Sequence, residues 1–159
     1  MTTEILAEPG KLDFYIKRMF RASLPLVYRT FTEKDLFVKW FMPGDAGLTA
    51  ESMNCREGGS FHLSHSGPGG MKMGFKGVYH EVSPLNGIIK TSEFIGLPQK
   101  LLPVLEMTTF NQIDEERTEV TIHTICPSVD YRDNMISAGM KPTLDITHFQ
   151  LQNLLDSLS

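Results

Sequence analysis

Apolar residues recur at every second position through most of this chain, and at helical spacing only near its start and its end. Leu12, Phe14, Ile16 and Phe20 alternate with Asp13, Tyr15 and Lys17, which predicts a half-buried first strand. Ser23 then supplies a capping hydroxyl and Pro25 a fixed φ suited to a first helical turn, with Val27 and Phe31 four residues apart on one face. Thr32 and Asp35 resemble a capping box for a second short helix that turns Leu36 and Trp40 inward, and Pro43-Gly44 ends it.

Strands are predicted near residues 48–54 and 60–65, separated by the Arg56-Glu57-Gly58-Gly59 turn. Gly67-Pro68-Gly69-Gly70 reads as a hairpin loop. Met71, Met73, Phe75 and Tyr79 then share one parity of a strand ending at Ser83-Pro84, and the same parity would carry Glu81 inward. Asn86-Gly87 is a strong turn signal ahead of a strand over 88–95. Residues 102–112 and 118–125 form a last hairpin around Asp114-Glu115-Glu116. From residue 130 to 158 the period changes, with Ile136, Met140, Leu144, Leu151, Leu155 and Leu158 falling on one stripe. Pro142 cannot sit in the interior of that helix without removing a hydrogen bond, so a kink or a fresh start is expected between Gly139 and Thr143.

The order is one strand, two short helices, about six strands in a meander and a long helix. That is an α+β fold in which a curved antiparallel sheet grips the C-terminal helix, leaving a cavity wherever the two surfaces fail to meet. At 159 residues the chain is expected to be one domain with a flexible lead-in over residues 1–10. Composition is ordinary, 41% hydrophobic and 21% charged. The net charge of -4 and the scattered Lys and Arg argue against a nucleic-acid surface. No apolar run reaches the roughly 20 residues a bilayer span needs, and the first eleven residues lack a basic-then-apolar leader. With only two cysteines, Cys55 and Cys126, no disulfide framework is expected and a cytoplasmic setting is the default.

Candidate chemistry is sparse. His62 and His65 are three apart, which on a strand places them on opposite faces and argues against a shared metal. His123 faces the convex side or the cavity edge, and His148 lies near the helix stripe. Neither cysteine has a neighbour that would activate it, and both read as small buried hydrophobes. Arg18 shares the inward parity, so it is either half of a structural ion pair, with Glu81 a possible partner, or an anchor for an acidic ligand group. Five of the nine methionines (Met71, Met73, Met107, Met135 and Met140) fall in segments expected to face inward, where they fill core or line an adaptable pocket. Trp40 and Tyr79 add polar handles that an apolar pocket uses to orient a guest. Glycines 58, 59, 74 and 77 mark bends of a curved sheet, and no Lys-Ser/Thr follows them as a phosphate loop requires. No catalytic constellation stands out; Glu81 and His123 are the only candidates, and no cofactor is implied.

Arg18-x-Phe20, the segment Val27, Phe31, Leu36, Trp40-Phe41-x-Pro43, then Arg56-x-Gly58-Gly59, Gly77-x-Tyr79-x-Glu81-Val82-x-Pro84 and Gly139-Met140 together resemble the START-like (SRPBCC) superfamily. Within it they are most similar to the branch named for homology to the activator of the heat-shock protein 90 ATPase. The resemblance implies a helix-grip fold with a cavity between sheet and final helix. The chain departs from many relatives where Pro142-Thr143 follows Gly-Met, a change expected to reshape the cavity mouth.

The leading expectation is a non-catalytic module binding a small hydrophobic or amphipathic molecule. Its cavity is expected to be lined by Arg18, Trp40, Phe61, Met73, Phe75, Tyr79, Phe94, Met107, Met135 and Met140. The alternatives implied by the resemblance are a co-chaperone that binds a heat-shock chaperone in a stress response, and a cavity enzyme of cyclase or hydrolase type. A homodimer through an exposed sheet face or edge is compatible with either.

Overall fold

A computed structural model describes residues 2–159. Its elements, in chain order, are β1 (Glu4–Leu6), β2 (Asp13–Phe20), α1 (Leu24–Thr32), α2 (Lys34–Phe37), β3 (Thr49–Met53), β4 (Ser60–Ser66), β5 (Lys72–Ser83), β6 (Gly87–Ile95), β7 (Val104–Asp114), β8 (Arg117–Ile125), α3 (Val129–Ser137) and α4 (Met140–Leu158). The eight strands form one antiparallel sheet in the order β1-β2-β8-β7-β6-β5-β4-β3. β3 to β8 are the six-stranded meander expected from the turn signals, and β2 closes beside β8. β1 is the addition: three residues too short to show an alternation extend the sheet at its edge.

One face of the sheet carries the core. Phe14, Ile16 and Phe20 of β2, Phe61 and Leu63 of β4, Tyr79 of β5, Ile88 of β6, Phe110 of β7 and Val120 of β8 are all buried. Against them lies α4, whose Leu151 and Leu155 are wholly buried, with α1 and α2 closing the end through Val27, Phe31 and Phe37. A second cluster, Phe14, Ile16, Val104 and Cys126, packs under α3 and the start of α4 through Met135, Ile136, Met140 and Leu144. Burying large side chains of this kind stabilises by roughly 1.5–3 kcal/mol each, which fixes α4 on the concave side.

The helix break falls where expected. α3 ends at Ser137, Gly139 takes φ 92°, a conformation open to glycine at little cost, and α4 starts at Met140. Pro142 therefore sits in the first turn, where its missing N–H has no intrahelical partner to lose. The α1–α2 junction departs from expectation. Thr32 does not cap α2: its hydroxyl donates back to the Tyr28 carbonyl inside α1, and Glu33 holds the cap position without a side-chain bond. Residues on α3 and α4 also clamp loops. Gln150 Nε2 donates to the carbonyls of Trp40 (3.1 Å) and Met42 (2.8 Å) while its Oε1 accepts from the Gly44 N–H (2.9 Å). The buried Arg132 of α3 donates to the carbonyls of Glu8 (2.7 Å) and Asp13 (2.9 Å), which ties down the segment between β1 and β2.

Candidate functional site

Where α4 crosses the hollow of the sheet the two surfaces leave a cavity of about 180 Å³. Its floor is the sheet: Tyr79 of β5, Ile88 and Lys90 of β6, Glu106 and Thr108 of β7, and Ile122 of β8. Its roof is α4, through Thr143, Leu144, Thr147 and His148, and its end wall is Phe31, Phe37 and Trp40-Phe41-Met42. A smaller void of about 70 Å³ adjoins it and shares Phe41, Phe75, Lys90 and Glu106; Phe61, Phe94 and Met135 belong to this second space.

The register decides which strand residues reach these spaces. Tyr79, Lys90, Glu106 and Thr124 are directly opposite one another across β5, β6, β7 and β8. Lys90 and Glu106 thus form a charged pair on an otherwise apolar floor, with Nζ and Oε1 3.7 Å apart and side chains only 12% and 24% exposed. The Lys90 ammonium lies 5.0 Å from the Phe61 ring centroid, 5.8 Å from Phe37 and 5.9 Å from Phe41. Three ring faces around one cation offset part of its lost hydration.

Of the residues expected at the cavity, Trp40, Phe75 and Tyr79 border the larger space, and Phe61, Phe75, Phe94 and Met135 the smaller. Others lie elsewhere. Met107 pairs with Ile89 and His123 on the convex face, because β7 turns Val104, Glu106, Thr108 and Phe110 inward instead. Met140 fills the second core cluster, Met73 packs beside Gly67 at the far end of β5, and Met71 is exposed. Arg18 points toward the helix side but does not line the cavity. Its Nη1 donates to the Thr3 hydroxyl at 3.2 Å and its guanidinium lies 5.5 Å from the Phe20 ring centroid. No carboxylate among the described residues comes within ion-pairing distance of it.

Glu81 does not face the cavity. A bulge between Tyr79 and Glu81 puts one extra residue in β5, so the parity flips: Val82 joins the core and Glu81 turns outward to Ser83 and Asn86. His123 is on the convex side, stacked 4.1 Å from Tyr15 and bonded to Asp13 at 2.7 Å. That bond holds the Asp13 carboxyl below its ordinary range. Neither residue is placed to act in the cavity. His62 and His65 do lie on opposite faces, His65 beside the inward rings of Phe75 and Phe94 and His62 in a groove on the outer face.

His148, on the cavity roof, is strongly perturbed. It is buried, 3% exposed, and its Nδ1 shares a 2.7 Å hydrogen bond with the Thr3 hydroxyl. Burial, helped by the nearby Arg18 charge, pushes its pKa down to about 4, so the ring is neutral near pH 7. Burial likewise raises the Tyr79 phenol and the neighbouring Cys55 thiol, which keeps both protonated and deprives the thiol of nucleophilic character. The Trp40 indole N–H is already used, donating to the Thr30 carbonyl at 2.8 Å, so it does not orient a guest.

A curved antiparallel sheet holding a C-terminal helix over a partly filled hollow defines the helix-grip class. The chain belongs to the family described as activator of Hsp90 ATPase homolog 1-like protein, whose pattern matches residues 21–156. Solved structures share the fold over almost the full length. A Rhodobacter sphaeroides protein aligns with TM-score 0.86 at 17% identity, covering 99% of each chain. A Mycobacterium smegmatis protein gives 0.86 at 18% identity over 100% of both chains. A Staphylococcus epidermidis protein gives 0.81 at 24%, covering 96% of this chain and 94% of its own. No curated protein matches the sequence.

Proposed function

We propose that this protein binds a small, largely apolar molecule in the space between its sheet and α4, without transforming it. The observation that carries this reading is the cavity of about 180 Å³, walled by aromatic and aliphatic side chains and furnished with one charged pair. A well-formed apolar pocket with a few convergent polar groups is how proteins hold small ligands. The environment of the titratable groups supports binding over catalysis. His148 is neutral and bonded to Thr3, Tyr79 and Cys55 hold their protons, and the acid and base that sequence parity nominated, Glu81 and His123, lie on the other face of the sheet.

Native mass spectrometry of protein purified without refolding, together with displacement of a lipophilic dye, tests the reading. A co-purifying small molecule, or a dye displaced stoichiometrically by small aromatic compounds, is the expected result. No adduct, no dye binding and a stimulated chaperone ATPase in the same preparation would replace it with the co-chaperone role.

A further inference from the structure

We propose, building on the ligand-binding reading above, that the occupant is a neutral molecule about one ring in size whose head group both donates and accepts a hydrogen bond, as a phenol or a primary amide does. Size comes first. An apolar cavity of about 150 Å³ accommodates benzene, and the main space here is about 180 Å³. The rings of Phe31, Phe37, Trp40 and Phe75 leave room for a ring or a short branched chain and not for a long acyl tail.

The head group is specified by Lys90 and Glu106. They face each other across two strands at 3.7 Å, near enough to attract and too far for a direct hydrogen bond. Among the described residues neither side chain makes a hydrogen bond to the protein, and both are only part-buried, so ammonium donors and carboxylate acceptors are left to water or to the cavity's occupant. A guest that displaces that water must replace it as a partner. A hydroxyl or carboxamide set between them accepts from Nζ and donates to Oε1, and satisfies both at once.

Charge balance excludes the alternatives. The pair sums to zero, and the neutral His148 and Tyr79 add nothing to it. A carboxylate guest would gain Lys90 and face Glu106, while an ammonium guest would gain Glu106 and face Lys90. Either would leave one uncompensated charge in an apolar enclosure, which is strongly unfavourable. A purely apolar guest would leave both ends of the pair without partners.

Calorimetric titration of the full chain at pH 7 with five probes of one shape (phenol, benzamide, toluene, benzoate and benzylammonium) separates these cases. Phenol and benzamide are expected to bind about tenfold or more tightly than the other three, the ratio a hydrogen bond to a charged group supplies. Benzoate, benzylammonium or toluene binding as well as phenol would overturn the head-group inference and leave the cavity reading standing. Failure of all five together with the lipophilic dye would remove both.

Two variants assign the effect. Lys90→Met combined with Glu106→Leu replaces the pair by apolar groups, a change that folds commonly tolerate, and is expected to transfer the preference to toluene. Glu106→Gln leaves the site with net positive charge, so benzoate is expected to overtake benzamide. If either folded variant keeps the wild-type ranking, the pair is not the determinant and the inference fails.

Discussion

Replacing His148 by asparagine tests the buried polar corner of the site through its effect on acid stability. In the folded chain the imidazole is 3% exposed and bonded through Nδ1 to Thr3, with Arg18 adding positive charge nearby, Lys141 a smaller amount, and Asp145 opposing them. Its pKa falls from 6.5 to about 4. Between those values the unfolded chain binds a proton that the folded chain refuses, so stability falls as pH is lowered from about 6.5 toward 4. Integrated over that window, this one residue removes about 2 kcal/mol by pH 5 and about 3 kcal/mol by pH 4. That is a large part of the total stability of a domain this size. Carboxylates lose their own contributions over the same range, so the comparison must be differential. His148→Asn keeps a group near the Nδ1 position for Thr3 but does not titrate. Urea unfolding of both proteins at pH 7, 6, 5 and 4 should show the wild type losing about 3 kcal/mol more than the variant by pH 4. Parallel stability curves would mean that the imidazole is hydrated or already charged in the folded chain, and the account of this corner would be wrong.

Leu155, wholly buried under the sheet, should cost about 2–5 kcal/mol when truncated to alanine, read as a lower urea midpoint with an unchanged slope. A Cβ at Gly77 would run into the Thr91 carbonyl oxygen and the Phe61 ring, so Gly77→Ala should destabilise by about 3 kcal/mol or more and lower the yield of folded protein. Pro142→Ala, at a first-turn position, should change stability by less than about 1 kcal/mol and leave the helical circular dichroism unaltered; a larger loss of helix would contradict the placement of the break at Gly139.

The strand-and-helix order was readable because each signal is local. Asn86-Gly87, Gly67-Pro68-Gly69-Gly70 and the acidic turn at 114–116 punctuate alternating segments, and Gly139 with Pro142 marks the place where α3 and α4 part. The cavity was less readable. Its aromatic members follow from parity in strands with one clear apolar face, as Phe61 and Tyr79 show. β7 has no such face: Val104, Glu106, Thr108 and Phe110 compete with Leu105, Met107, Thr109 and Asn111, and hydrophobicity alone favours the wrong methionine. Lys90 and Glu106 are illegible as cavity residues for the same reason, since a lone charge in a strand ordinarily marks the solvent side. The one available signal was their common inward parity with Ile88 and Phe110.

By itself the amino-acid order determined which segments are strands and which are helices, where the chain turns, and that α4 must cover an apolar sheet face. Those outcomes depend on backbone preferences and on periodicities of two and 3.6 residues, which act over a few neighbours at a time. Tertiary structure alone decided that the bulge after Tyr79 sends Glu81 outward, that Lys90 meets Glu106, and that His148 is held neutral beside Thr3. Each of these depends on register and burial between residues far apart in sequence, and a one-residue shift in pairing would reverse it.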